Sequence, residues 1–296
     1  MKRTQRQSKR RAAFTIIELL TVMSIIVILI GLLVPALNMV RRFAQGVKQH
    51  AQLHSIDAAL ELFNNEFDGY PDSSALDPDN QSYCGAMKLC EAMLGQDMLG
   101  FHKNSVFRSN GMDALDVRIY GLTPADSSYK DNLTKRKGPF LPLDNADVYQ
   151  MSDIYGTNVG NFLPDSRVLC DVYSRTLPTG KKAGMPVLYY KADTTNTLHD
   201  PADPHQPTPT DSCGNIYNYW DNQELILLGK PWVTGGAGTT QKDHNMGNPQ
   251  VFYDETQSEK VTTTKMPRRP DTYILISAGF DGEYGTSDDI CNYQKQ

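Results

Sequence analysis

The sequence predicts an α+β fold, in which a long, partly transmembrane N-terminal helix packs on a small antiparallel β-sheet with large loop-rich insertions. Two observations predict the helix: an apolar run of membrane length begins at Phe14, and an amphipathic repeat follows it directly. A third observation predicts the sheet. Short segments rich in β-branched and aromatic residues occur late in the chain, separated by Gly, Pro, Asn and Asp. An amphipathic helix must bury its apolar stripe, so we expect it to pack on that sheet.

The charge of the chain is unevenly distributed. The 296 residues carry a formal net charge of -5, but residues 1–13 hold six basic residues and no acidic one. The remainder therefore has 23 basic against 34 acidic residues. An acidic body argues against nucleic acid as a partner, because phosphate binding needs clustered Lys and Arg. It is compatible with binding cations.

The five cysteines form no CxxC pair and no Cys/His cluster with zinc-ligand spacing. Two interpretations stay open for them: buried free thiols, or up to two disulfides in an exported domain. The Pro-rich stretch His199–Ser212 contains His199, Asp200, Asp203 and His205, and we interpret it as a solvated loop rather than a metal site.

Residues 14–37 are apolar apart from Thr15, Glu18, Thr21 and Ser24. As a helix they span about 36 Å, which is enough to cross a bilayer. The basic segment before them is expected to stay in the cytoplasm. A secretory signal cleaved near Val34-Pro35-Ala36 would have a shorter apolar region than this one. A plain single-span anchor explains the length of the apolar run. Neither explains Glu18, because a charge within the bilayer costs about 2.5 kcal/mol or more.

The segment RRAAFTIIELLTVMSIIVILIGLLVPAL resembles the class III signal of type IV pilins and of type II secretion pseudopilins. In that family a prepilin peptidase cuts before the apolar run and methylates the new terminal amine. The resemblance implies cleavage between Ala13 and Phe14, so that Phe14 becomes the methylated first residue, Glu18 the fifth and Pro35 the twenty-second. The family has Gly before the cut, where this chain has Ala13.

The resemblance implies a structural subunit and not an enzyme. Processed copies would assemble through their N-terminal helices into a pseudopilus or a type IV pilus-like filament, in type II protein secretion. The implied partners are the prepilin peptidase, other copies of the chain, minor pseudopilins and the inner-membrane platform of the secretion system. The implied location is the bacterial inner membrane, with a single pass and the C-terminal domain in the periplasm. Glu18 would pair with the terminal amine of a neighbouring subunit, since a buried charge is tolerated when it is paired.

Residues 38–70 are predicted to continue the helix. Val40, Phe43, Val47 and four later apolar residues recur at three- and four-residue steps. Gly69 is predicted as the left-handed residue that ends the helix, with Pro71 beyond it. Pro35 is predicted to kink the helix or open it locally.

Residues 71–296 are predicted to form the extracytoplasmic globular domain. The segment that contains Cys84 and Cys90 is predicted to be helical, and these two cysteines are too far apart in one helix to form a disulfide. Four segments are predicted to be strands: Pro186–Ala192, Glu224–Gly229, Gln250–Asp254 and Thr272–Ala278.

An acidic loop at residues 276–290 predicts a calcium site. Asp281, Glu283, Asp288 and Asp289 lie within nine residues, separated by glycines that permit tight turns. Calcium takes six to eight oxygens from carboxylates and carbonyls, but an EF-hand is excluded because Asn292 stands where its last Glu is needed.

The loop is similar to the calcium site of the major, G-type pseudopilins. That resemblance implies Asp281, Asp288 and Asp289 as ligands, with main-chain carbonyls near Ala278 and Glu283.

Two other functions stay open. The chain could be a tip-type minor pseudopilin, although tip subunits commonly lack the acid that Glu18 represents. It could also tether a ligand-binding or enzymatic domain to the membrane through a pilin-type signal. Against an enzyme, the sequence contains no GxSxG, HExxH or P-loop motif.

Overall fold

A computed structural model of the chain describes residues 15–202, 214–233, 242–261 and 264–293. The chain divides into two compact units, Met1–Ala44 and Gln45–Gln296. Among the described residues, the first unit contains the N-terminal part of helix α1 (Ile16–Phe67), and the second contains the rest of that helix and every other element described below.

The second unit has five further α-helices and nine short strands within the described residues. The helices are α2 (Gly85–Leu94), α3 (Tyr129–Thr134), α4 (Met151–Tyr155), α5 (Gln223–Leu227) and α6 (Pro249–Thr256). The strands are β1 (Phe101–His102), β2 (Arg136–Lys137), β3 (Val148–Gln150), β4 (Arg167–Leu169), β5 (Arg175–Thr176), β6 (Lys182–Ala183), β7 (Leu188–Lys191), β8 (Tyr273–Ser277) and β9 (Ile290–Cys291).

Helix α1 has the predicted extent, but the left-handed residue that ends it is not the predicted one. Asp68 has a φ of 55° and stops the helix, so the assignment of this role to Gly69 was wrong. Asp tolerates this conformation because its short polar side chain bonds locally. The helix runs through Pro35, whose missing N–H leaves the carbonyl group of Gly31 without its helical partner.

The principal sheet is antiparallel and has the order β7-β8-β9. Strand β8 is its centre, with Tyr190 opposite Ile274 on one side and Ile276 opposite Cys291 on the other. All five residues of β8 are buried, as expected for a central strand with covered faces. Strands β7 and β8 confirm the predictions at Pro186–Ala192 and Thr272–Ala278. Three two-stranded antiparallel ribbons complete the described β-structure.

The predicted strands at Glu224–Gly229 and Gln250–Asp254 are wrong, because these segments form helices α5 and α6. Helix α6 begins with Asn248, whose side chain accepts a hydrogen bond from Gln250 N–H, and with Pro249 in its first turn. Asn followed by Pro is a helix-start signal, and it outweighs the strand preference of the short apolar run.

The predicted packing of the amphipathic stripe is only partly correct. Leu53, Ile56, Leu60 and Phe63 are buried in a core cluster that includes residues of α2, β7 and β8. Asp57 reinforces this packing, since its Oδ1 accepts hydrogen bonds of 2.9 Å from the side chains of Tyr273 and Asn292. The earlier stripe residues are exposed: Val40, Phe43 and Val47.

Cys84, Cys90 and Cys170 are buried free thiols, as one of the two interpretations expected, and Cys291 is buried as well. Cys213, Asp203 and His205 lie outside the described residues. His199 does not lie in a solvated loop. It is 2% exposed, and its Nε2 is 2.8 Å from the carbonyl oxygen of Tyr253.

Candidate functional site

The N-terminal part of α1 presents apolar surface on all sides. Its large apolar residues are exposed without interruption from Ile16 to Val40, for example Ile16 at 84% and Leu32 at 71%. Among the described residues, α1 is the one helix long and apolar enough to cross a membrane, and a signal sequence near the N-terminus would meet the same criterion. Such a surface is unstable in water, so this segment needs lipid or apolar protein around it.

Glu18 closes the first turn of its own helix. Its Oε2 accepts hydrogen bonds from the backbone N–H (2.9 Å) and the hydroxyl (2.7 Å) of Thr15, while Glu18 N–H lies 3.3 Å from the Thr15 hydroxyl oxygen. This reciprocal pair is a capping box, which satisfies N–H groups that have no helical partner. The sequence signal was present as Thr15-Ile16-Ile17-Glu18, but our sequence interpretation overlooked it. Ala13 and Phe14 lie outside the described residues.

The acidic loop connects the two strands β8 and β9, which pair antiparallel. Three glycines with positive φ shape it, and Gly279 is the most constrained. Its φ is 64°, and a Cβ atom there would lie 2.2 Å from the carbonyl oxygen of Asp288. The beginning and the end of the loop are therefore in backbone contact, which only glycine permits.

Three acceptor oxygens of the loop converge on one hydroxyl group. The Thr286 hydroxyl lies 2.6 Å from Asp288 Oδ1, 3.1 Å from Asp281 Oδ2 and 3.2 Å from the carbonyl oxygen of Glu283. A hydroxyl has one proton and donates fully to one acceptor at a time. The structure therefore brings together Asp281, Asp288 and the Glu283 carbonyl, three of the predicted ligands, around a residue that the sequence interpretation did not select.

The two carboxyl groups of this cluster influence each other. Burial and the neighbouring Asp288 raise the pKa of Asp281. Burial also acts to raise the pKa of Asp288, but the hydrogen bonds from Thr286 and from Asp281 N–H outweigh it, so that this pKa is lowered. Such a pair retains a proton more readily than two isolated carboxylates do.

The remaining predicted ligands occupy other positions. The Glu283 side chain forms a 2.6 Å ion pair with Lys230, which leaves its main-chain carbonyl for the cluster. Asp289 is 6% exposed, and its Oδ2 accepts a hydrogen bond from Gly285 N–H at 2.8 Å. Ala278 is fully buried directly after β8.

The buried carboxyl group of Asp171 is hydrogen-bonded to the start of the acidic loop. Asp171 Oδ2 accepts a 3.0 Å hydrogen bond from the Ser277 hydroxyl, whose oxygen lies 3.3 Å from Gly279 N–H. The residues flanking Asp171 are bound to α1: Gln52 donates to the Cys170 carbonyl (2.8 Å), and Val172 N–H donates to the Gln49 side chain (2.9 Å). The buried segment Cys170–Val172 is therefore hydrogen-bonded both to helix α1 and to the start of the acidic loop.

Within the described ranges, no group of three or more His, Cys, Asp or Glu side chains is arranged to hold a metal ion. A cation at this loop would accordingly depend on main-chain carbonyls, Thr286 and water as well as carboxylates, which calcium accepts as ligands.

Comparisons with known proteins identify no relative. No family model matches the chain, and neither the curated proteins nor the solved structures include a significant match. Function must therefore be argued from this chain's own residues.

Proposed function

We propose that the chain is a structural subunit of a pseudopilus or type IV pilus-like filament that acts in type II protein secretion. The observation that carries the proposal is the division of α1. Its first part exposes apolar residues on every side, whereas its second part is built into the globular core through Leu53, Ile56 and Leu60. A helix with one part in the core of a folded domain and another part that needs an apolar environment is what a filament subunit requires.

Processing between Ala13 and Phe14 by a prepilin peptidase would supply the partner of Glu18. In the unassembled chain the Glu18 carboxylate already has the Thr15 cap, which lets it enter the membrane partly satisfied. The new amine of Phe14 on a neighbouring copy would complete a charge pair in a low-dielectric environment, where an unpaired charge is strongly unfavourable. This pairing favours a rod-forming role over a tip role.

The unprocessed chain would reside in the bacterial inner membrane with a single pass and its C-terminal domain in the periplasm. From there it would join other copies and minor pseudopilins on the platform of the secretion system.

Calcium at the acidic loop belongs to the same proposal. The convergence of Asp281, Asp288 and the Glu283 carbonyl on Thr286 supports it, because these are oxygen atoms of the kind that calcium takes as ligands, brought close together. Metal there would stabilise the junction of β8 and β9 by neutralising facing carboxylates.

The experiment separates the two roles of Glu18. Glu18→Gln keeps an acceptor for the capping box but removes the charge, whereas Thr15→Ala removes the cap partner and keeps the charge. We expect cross-linked oligomer ladders in membranes to be reduced more than tenfold in Glu18→Gln, since breaking a buried pair costs about 3 kcal/mol. Thr15→Ala should assemble normally or lose only a few-fold.

Mass spectrometry of the same preparations checks the processing step, and we expect a mature chain that begins with methylated Phe14. Equal ladders in wild type and Glu18→Gln would remove the charge pair from assembly. An intact chain that begins at Met1 in assembled material would contradict the proposed processing.

A further inference from the structure

A cavity of about 530 Å³ lies in the globular unit, away from the acidic loop. Its walls come from α2, from the turns at residues 95–97 and 109–111, from residues 118–121, and from the segment that leads into β4. This volume suits a small organic molecule of the size that protein pockets commonly bind.

A buried carboxyl group lines this cavity. Glu91 is 1% exposed, and its Oε2 accepts hydrogen bonds from the Tyr83 hydroxyl (2.7 Å) and the Gln96 amide (2.9 Å). The Ser105 hydroxyl donates to the other oxygen. Burial raises the pKa of Glu91. This part of the wall is therefore polar and preorganised by hydrogen bonds.

Two guanidinium groups line the same cavity, and neither has a carboxylate of the described residues within ion-pair distance. Arg118 is exposed, and Arg167 uses Nη1 to donate to the carbonyl oxygen of Gln96. Neither forms an ion pair with any residue in the described ranges. Their neighbours differ: Arg136 holds Asp97 with two bonds of 2.8 and 2.9 Å, and Arg108 pairs with Asp79 and Asp116.

The acidic groups that line the cavity form no ion pair with Arg118 or Arg167. Asp97 is occupied by Arg136, and Asp165 is exposed and lies more than 4 Å from the charged atoms of either arginine. Arginine forks match the geometry of carboxylate and phosphate groups, and an unpaired arginine in a polar cleft is suited to bind them.

We propose that this cavity binds a small hydroxylated organic anion, whose carboxylate or phosphate group is held by Arg118 and Arg167. The hydroxyl groups of the ligand face the neutral polar groups of the wall, including Asn110 and Tyr120. The site is independent of the filament proposal, because it uses neither α1 nor the acidic loop.

The test is titration calorimetry of the full chain in detergent micelles with three matched probes: galacturonate, galactose 1-phosphate and galactose. We expect both anions to bind and galactose to bind at least tenfold more weakly. Arg118→Gln should weaken both anions about tenfold, the loss expected for one charge-assisted contact. Lys130→Gln removes an exposed charge that does not line the cavity, and it should leave the affinity for both anions unchanged.

Arg167→Lys keeps the positive charge but loses the planar pair of guanidinium donors. We therefore expect it to weaken anion binding less than Arg118→Gln does. The melting temperature without ligand checks that this variant, whose arginine bonds Gln96, is folded. The proposal is overturned by an absence of anion binding, by equal binding of galactose, or by an unchanged Arg118→Gln. Inorganic phosphate binding as tightly as galactose 1-phosphate would overturn the role of the hydroxylated part.

Discussion

Asp171 is a buried carboxyl group at the contact between three parts of the globular unit. Besides Ser277, its side chain accepts 3.2 Å hydrogen bonds from the N–H groups of Tyr173 and Met185. Gly184 is required beside it, because a Cβ atom there would lie 2.2 Å from Asp171. Burial raises the pKa of Asp171 to about 7, and the hydrogen bonds offset only part of that effect.

The raised pKa of Asp171 predicts a pH-dependent stability. Between pH 4 and 7 the folded chain keeps a proton that the unfolded chain releases, so the free energy of unfolding falls as the pH rises through this range. The maximum contribution is about 4 kcal/mol for a shift of about three units. Asp171→Asn preserves the shape and most hydrogen bonds, and we expect it to flatten this slope. The free energy of unfolding at each pH is measured by urea unfolding in detergent with a chelator, with the fluorescence of Trp220 and Trp232 as the signal.

Asp144→Asn is the matched control, because Asp144 is exposed. Its profile should run parallel to that of the wild type. If the Asp171→Asn profile also ran parallel, Asp171 would not be the titrating group.

At the level of elements, long periodic segments and central strands were predictable, and short apolar segments were not. Helix α1 is 52 residues long, and β8 is a fully buried strand whose three central residues are Ile, Leu and Ile. Segments such as Gln223–Leu227 are too short for a period to separate helix from strand, so a nearby cap decides, as Asn248 and Pro249 do for α6. The capping box of Glu18 was readable by the same rule.

The acidic loop predicts a calcium effect that depends on pH. Calcium needs the ionised form of its carboxylate ligands, and so its binding should weaken as the pH falls through the raised pKa of Asp281. At a calcium concentration 100 times its Kd, we expect about 2.7 kcal/mol of stabilisation near neutral pH, and clearly less near pH 5. Melting temperatures in calcium and in excess chelator at the two pH values measure this.

Asp288→Asn should abolish the calcium-dependent rise in melting temperature, and magnesium should produce a much smaller rise, because it accepts a narrower geometry. Thr286→Val removes the shared hydroxyl and should reduce the rise without abolishing it. Identical melting of the wild type in calcium and in chelator would refute the site.

At the level of the whole molecule, the predictable part of the candidate site was its local part. The acidic residues and glycines of the loop are adjacent in sequence, so composition alone indicated them. The hydrogen bonds that hold the start of this loop could not be predicted, because Asp171 and Ser277 are 106 positions apart, and Gln52 and Cys170 are 118 apart. Such contacts depend on tertiary packing, which periodicity does not report.

The division into two units predicts how the chain tolerates truncation. Residues 45–296 contain the buried stripe of α1 together with the core that it covers. We therefore expect a chain beginning at Gln45 to be soluble, monomeric and cooperatively folded, while the full chain partitions into membranes or detergent. Membrane fractionation, light scattering and thermal unfolding measure these outcomes.

A chain beginning at Gly69 provides the contrast, since it loses Leu53, Ile56, Leu60 and Phe63 from the core. Each such side chain contributes about 2 kcal/mol when fully buried, and the remaining unit would also expose the faces of α2 and of the sheet that they cover. We expect this shorter chain to aggregate or to unfold without cooperativity. If it folded as stably as the chain from Gln45, then α1 would be an attachment to the globular domain and not part of its core. The filament proposal would then lose the observation that carries it, which is that the second part of α1 is built into the core of the domain.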